Sequence, residues 1–126
     1  MNDLHASISQ DICDFPINTQ ALMARCMGNS AFARSLLSEL ATTISDRCHE
    51  FSCNASDKDY DALGEAAHSL KGTASVMCAE SVRDLSLKIE TASQARDEET
   101  VDSLVSRLLE ELERCREFIS AVQAIA

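Results

Sequence analysis

Only three glycines and one proline stand in 126 residues, too few turn-formers for a fold built from many short strands. Breaks fall at Phe15-Pro16, Gly28-Asn29-Ser30, Asn54-Ala55-Ser56, around Cys78-Ala79 and near Gln94 to Asp97. Between them apolar residues recur at intervals of three and four, the helical period. An all-α fold is expected. Ala6 to Asp14 and Thr19 to Met27 read as short helices within 6–27, the second stopped by Gly28. Behind Asn29 or Ser30 as cap, Phe32, Leu36, Leu40, Ile44 and Phe51 mark a long helix. Ser56-Asp57-Lys58-Asp59 has the form of a capping box, a hydroxyl followed three residues on by a carboxylate, and opens a helix to about Met77. Val82, Leu85 and Ile89 line a helix from Glu80 to Ser93. Asp97, Glu98 and Glu99 suit the N-terminus of the last helix. Its stripe is Val101, Leu104, Val105, Leu108, Leu112, Cys115, Ile119 and Val122. Four amphipathic helices on short loops prefer antiparallel neighbours. The expected architecture is therefore an antiparallel up-down four-helix bundle over about 30–123, with the short helices across one end or side and 1–126 as a single domain.

Charge narrows the function. With 11 Lys+Arg against 21 Asp+Glu the net charge is −10, so the chain is a poor ligand for nucleic acid or an anionic membrane surface. No stretch approaches the roughly 20 apolar residues of a membrane span. The start, Met1-Asn2-Asp3-Leu4-His5, has neither the basic nor the apolar region of a signal peptide. A cytoplasmic protein is expected. Its six cysteines, at 13, 26, 48, 53, 78 and 115, fall at scattered spacing and read as reduced, small apolar residues. Cys48, His49 and Cys53 raise the question of zinc, but no second ligand pair accompanies them and they are expected to point in different directions on one helix. Glu110, Glu111 and Glu113 read as solvated surface of the last helix. No second large apolar stripe is left over, which favours a monomer.

The informative segment is Ala67-His68-Ser69-Leu70-Lys71-Gly72-Thr73-Ala74-Ser75. On a helix, Leu63, Ala66, Ala67, Leu70, Ala74 and Met77 form the buried stripe, and His68 falls about 150° from its centre. The imidazole is placed in solvent, among Gly64, Lys71 and Gly72 with Ser75 two turns on. Each glycine costs a helix about 0.5–1 kcal/mol relative to Ala. Either a bulky group must approach the histidine, or the glycines let helices pack closely; their place opposite the apolar stripe favours the first. An exposed imidazole is largely neutral at physiological pH and has a nucleophilic nitrogen. Lys71 would favour that neutral form and offer a cation to phosphoryl oxygens, and Ser75 a hydrogen bond. With no second base and no metal ligands, the group suits accepting and donating a phosphoryl group whose partner brings the other catalytic parts.

The run His68-Ser69-Leu70-Lys71-Gly72-Thr73-Ala74-Ser75 resembles the signature H-x-L-K-G-x-[ASG]-[ASG] of the histidine-containing phosphotransfer (HPt) domain. Ala79 to Leu85 and Leu87-Lys88-Ile89-Glu90 are similar to the family's next helix. The resemblance is strong from Leu63 to Glu90 and looser from Thr19 to the end. It implies a four-helix bundle whose His68 accepts phosphate from the receiver domain of a hybrid sensor kinase and passes it to a downstream response regulator. Lys71 would be the assisting cation and Gly72 the clearance for the receiver. Glu90 matches an acidic position that, in the related chemotaxis-kinase domain, hydrogen-bonds the other imidazole nitrogen. No cofactor is implied on this chain, Mg²⁺ being held by the receiver. Apolar residues of the N-terminal segment, here Phe15, Ile17, Leu22 and Met27, either cap the core or join the patch on which a receiver docks. Cys78 stands where the family commonly has a turn glycine. No Gly-rich phosphate loop is present, so an autonomous kinase is excluded. Two alternatives stay open: a phosphoacceptor domain of a chemotaxis-type kinase, and a bundle that binds receivers without transferring phosphate.

Overall fold

The computed structural model describes residues 16–124. Five helices follow in order: α1 (Thr19–Arg25), α2 (Ser30–Ser56), α3 (Tyr60–Val76), α4 (Glu80–Gln94) and α5 (Glu98–Ala124). The short helix expected over Ala6 to Asp14 lies outside the described residues. The four long helices pack each against the next in sequence, and α2 closes the ring on α5. The result is the expected antiparallel four-helix bundle, with α1 against α2. Its core runs from Ile17 and Leu22 through Ile44, Phe51, Leu63, Leu70 and Ile89 to Leu108, Leu112 and Ile119, all 1% exposed or less. Ile17 and Leu22 thus belong to the core, whereas Met27 is 93% exposed; Phe15 is not among the described residues.

Every helix that ends within the described chain uses one turn. At the end of α3 the Cys78 amide donates to Ser75 and the Ala79 amide to Ala74. The same pair of bonds recurs after α1, α2 and α4, the pattern of a Schellman cap. That cap needs a residue at positive φ. Met27, Lys58, Cys78 and Arg96 supply it at φ 53–58°, each at roughly 1–2 kcal/mol of backbone strain. Cys78 therefore adopts the very conformation for which glycine is usual.

Several expectations shift by a turn or a phase. α2 continues through Ser56, so the break expected at Asn54 to Ser56 falls at Asp57-Lys58. Asp59, not Ser56, caps α3, its carboxylate accepting from the Ala62 amide at 3.1 Å. The amides within reach of Ser56 are already held by the carbonyls of Asn54 and Ala55, which leaves a capping box no donor to satisfy. On α2 the buried set is Ala33, Leu37, Leu40, Ile44 and Phe51. The stripe begins one residue later than the apolar pattern suggests, and Phe32 is left 52% exposed. Glu111 is buried rather than solvated, its carboxylate accepting from Arg114 at 2.8 Å. His49 and Cys53 do not point apart: one turn apart on α2, they bring Nε2 and Sγ to 3.5 Å. Among the described residues no group of three or more His, Cys, Asp or Glu is arranged to hold a metal, and no helix is long and apolar enough to cross a membrane.

Candidate functional site

Leu63, Ala66, Ala67, Leu70 and Ala74 bury one side of α3, and this fixes the phase of the helix. His68 then stands on the opposite side, its side chain 68% exposed. Glu90 reaches it from α4. In an antiparallel hairpin residues at similar distances from the turn lie at the same level, and 68 and 90 flank Cys78 by 10 and 12 residues. His68 Nδ1 lies 2.9 Å from Glu90 Oε2, and Lys71 Nζ donates to Glu90 Oε1 at 3.2 Å. One carboxylate thus holds both groups.

The state of that carboxylate fixes the state of the ring. Desolvation pushes the Glu90 carboxyl up, but the hydrogen bonds from Lys71 and His68 outweigh it and leave the group below its ordinary value. An ionised carboxylate only accepts. The facing nitrogen, Nδ1, therefore carries a proton, and in the neutral ring the lone pair is on Nε2, turned away from Glu90. The site holds a nucleophilic nitrogen in solvent, with the ring oriented from behind.

The remaining residues of the motif divide. Gly72 is exposed, and a Cβ there would meet nothing within 4 Å. Gly64 is half-buried; a Cβ there would touch Ser93 Cβ at 3.8 Å, an ordinary contact. Packing within the chain requires neither glycine. Ser75 does not join His68: its hydroxyl donates to the Lys71 carbonyl at 2.9 Å, two turns along the helix. Lys71 is bound to Glu90 rather than standing free beside the ring. Arg47 of α2, which no sequence motif singles out, donates to Ser69 next to His68 at 3.0 Å. Farther along, Leu36, Thr73 and Val76 line a groove of about 310 Å³ between α2 and α3, and Val76 and Phe32 are more than half exposed.

The family model of the Hpt domain matches residues 31–122. The chain belongs to the Hpt domain family. No curated protein matches it. Among solved structures, it is similar to the HPT domain of a sensor hybrid histidine kinase from Shewanella, with TM-score 0.79, 17% identity, and 89% of this chain and 97% of that one covered. It is likewise similar to histidine-containing phosphotransfer protein B from Pseudomonas aeruginosa PAO1, with TM-score 0.79, 17% identity, and 88% and 96% coverage. At that identity the two structures speak for the fold. Membership of the family gives the Hpt chain a phosphotransfer role in two-component signalling, as a carrier of phosphoryl groups.

Proposed function

We propose that this Hpt domain is the intermediate carrier of a multistep phosphorelay, taking a phosphoryl group from a receiver aspartate onto His68 and handing it to a response-regulator aspartate. The observation that supports His68 as the acceptor is the hydrogen bond from His68 Nδ1 to Glu90, which leaves Nε2 outward, while the place in a relay between receivers rests on the family resemblance. In the forward step the Nε2 lone pair attacks phosphorus. The P–O bond of the aspartyl phosphate breaks and its electron pair leaves on the receiver's carboxylate. The ring becomes a phosphorylated imidazolium that keeps its Nδ1 proton, and the Glu90 carboxylate faces the new positive charge. In the second step an aspartate oxygen of the regulator attacks phosphorus. The P–N bond breaks and its electrons return to Nε2, the ring leaving as neutral imidazole because Nδ1 still holds its proton. Lys71 keeps Glu90 ionised and sets a cation on the flank of the reacting group. Gly72 leaves room for the receiver backbone, and the exposed Phe32 and Val76 offer apolar docking surface. Mg²⁺ belongs on the receiver's carboxylates, where it neutralises the transferring group. The carrier acts as a cytoplasmic monomer.

One observation also favours a second reading. Contact between Glu90 and the imidazole is a feature that the resemblance associates with acceptor domains fed by ATP through a chemotaxis-type kinase. A single experiment separates the readings. A receiver labelled on its aspartate is mixed with wild type and with His68→Gln, and the label is followed for acid lability and base stability. Transfer to wild type alone is expected. Failure with several receivers, followed by labelling from ATP and a kinase catalytic domain, would replace the phosphorelay reading with the second.

A further inference from the structure

A cleft of about 530 Å³ opens between α3 and α4 with His68 in its wall. Its carboxylates are those of Asp61, Glu65 and Glu90. Glu90 is bound to His68 and Lys71, and Asp61 to Arg96 at 3.1 Å. Glu65 has no ion pair among the described residues. At the inner end stands Ser93, 1% exposed, whose hydroxyl has no hydrogen-bond partner. A buried hydroxyl without a partner costs about 1–3 kcal/mol; of the three buried side-chain atoms left without one among the described residues, Ser86 Oγ, Ser93 Oγ and Glu111 Oε2, Ser93 Oγ belongs to a residue lining this cleft. The lining is rich in acceptors: carboxylate oxygens, the Ser93 hydroxyl and the Gln94 amide oxygen. Its carboxylates are not arranged as a metal cluster. An ammonium or guanidinium group, all donor and positively charged, is the complement of such a lining.

We propose that this cleft is a specificity subsite for one Lys or Arg side chain of the docking receiver. The proposal rests on the phosphorelay reading. His68 forms part of the wall, so a partner that reaches Nε2 must cover the mouth, and the cation arrives with it. Glu65 meets the incoming charge first, and Ser93 accepts a hydrogen bond at the inner end. A receiver with an acidic or apolar residue at that place is disfavoured by repulsion or by leaving Glu65 and Ser93 covered and unpaired. Gly64 lines the same cleft, and a Cβ there would stand 3.8 Å from Ser93 Cβ.

The test compares two phosphodonors: a phosphorylated receiver that loads the wild-type chain, and phosphoramidate, a small donor that needs no docking. The readout is the ratio of the two loading rates for wild type, Glu65→Lys, Glu65→Gln and Ser93→Ala, with thermal melting as the check on folding. Charge reversal at Glu65 is expected to lower the ratio at least tenfold, through apparent KM rather than kcat, and Glu65→Gln about threefold. Ser93→Ala, which removes a hydroxyl unpaired in the free protein, should melt no lower than wild type and still raise KM. The wild-type KM should rise with salt more steeply than that of Glu65→Lys. Ratios within twofold of wild type for both Glu65→Lys and Ser93→Ala would overturn the subsite while leaving the relay intact. A wild-type chain loaded by phosphoramidate but by no receiver would overturn the relay reading, and the subsite with it.

Discussion

Replacing Glu90 by Gln keeps the size and an acceptor oxygen but removes the charge that faces the ring. The proposed transfer puts a positive charge on His68, whose Nδ1 lies 2.9 Å from the carboxylate. With charge centres roughly 4 Å apart, the attraction is about 1 kcal/mol at the dielectric constant of water and about 4 kcal/mol at an effective value near 20. The imidazole is 68% exposed, which places the interaction near the lower limit, at about 1–2 kcal/mol. At about 1.4 kcal/mol per decade this slows loading of His68 roughly 5- to 30-fold. Glu90→Gln also releases Lys71, which would speed loading if the freed ammonium swung onto the phosphoryl oxygens. A double-mutant cycle with Lys71→Met separates the two effects. The assay is loading by phosphoramidate, read by quench and phosphate labelling, with circular dichroism as the check on folding. A rate within twofold of wild type, in both the wild-type and Lys71→Met backgrounds, would refute the role assigned to the carboxylate.

Other outcomes follow from the same geometry. Gly72→Gln should raise the melting temperature, since a glycine in a helix costs about 0.5–1 kcal/mol and its Cβ meets nothing, yet slow receiver-driven loading more than tenfold relative to phosphoramidate. Lys58→Gly should stabilise the fold by about 1 kcal/mol in urea titrations, because it relieves a positive φ and loses only the exposed pair with Glu98. Cys78→Gly should be near neutral, because relief of the same strain is offset by loss of a side chain only 8% exposed. Burial, with the nearby Glu111, pushes the Cys115 thiol up to about 12; it should react with a disulfide reagent only on unfolding, whereas the exposed Cys53 reacts at once. Glu90 is held below its ordinary value, so its contribution to stability is complete above about pH 4.3 and fades as pH falls through the folded value; Glu90→Gln should flatten that part of the urea stability profile.

The helices and the exposure of His68 were legible because periodicity reports burial directly: Leu63, Ala67 and Leu70 can be buried together only if His68 is not. Phase proved harder where the pattern carries an extra apolar residue. Phe32 and Leu36 keep helical spacing with Leu40, but the core takes Ala33 and Leu37 instead, because which stripe is buried depends on the neighbouring helices. Turn chemistry misled at Ser56, since a hydroxyl followed by a carboxylate marks a cap only if amides are free to receive it. Glu90 could be matched by resemblance, and the level of a hairpin explains why it meets His68. The Arg47–Ser69 bond has no such trace, for it depends on how α2 lies against α3. Glu111 looked like surface because an acidic run gives no sign of which member turns inward.

His68, Lys71 and the Glu90 carboxylate that joins them all lie on α3 and α4, two helices linked by the short turn at Cys78. The reacting constellation is thus local in the chain. Its assembly requires closure of one helical hairpin, the kind of short-range contact that forms fast, rather than docking of distant segments. The outer helices α2 and α5 complete the core without contributing a group that touches the imidazole. Fraying at the C-terminal end of α5 therefore costs stability before it costs the geometry around His68, whereas α2 still bears on the site through the Arg47–Ser69 bond.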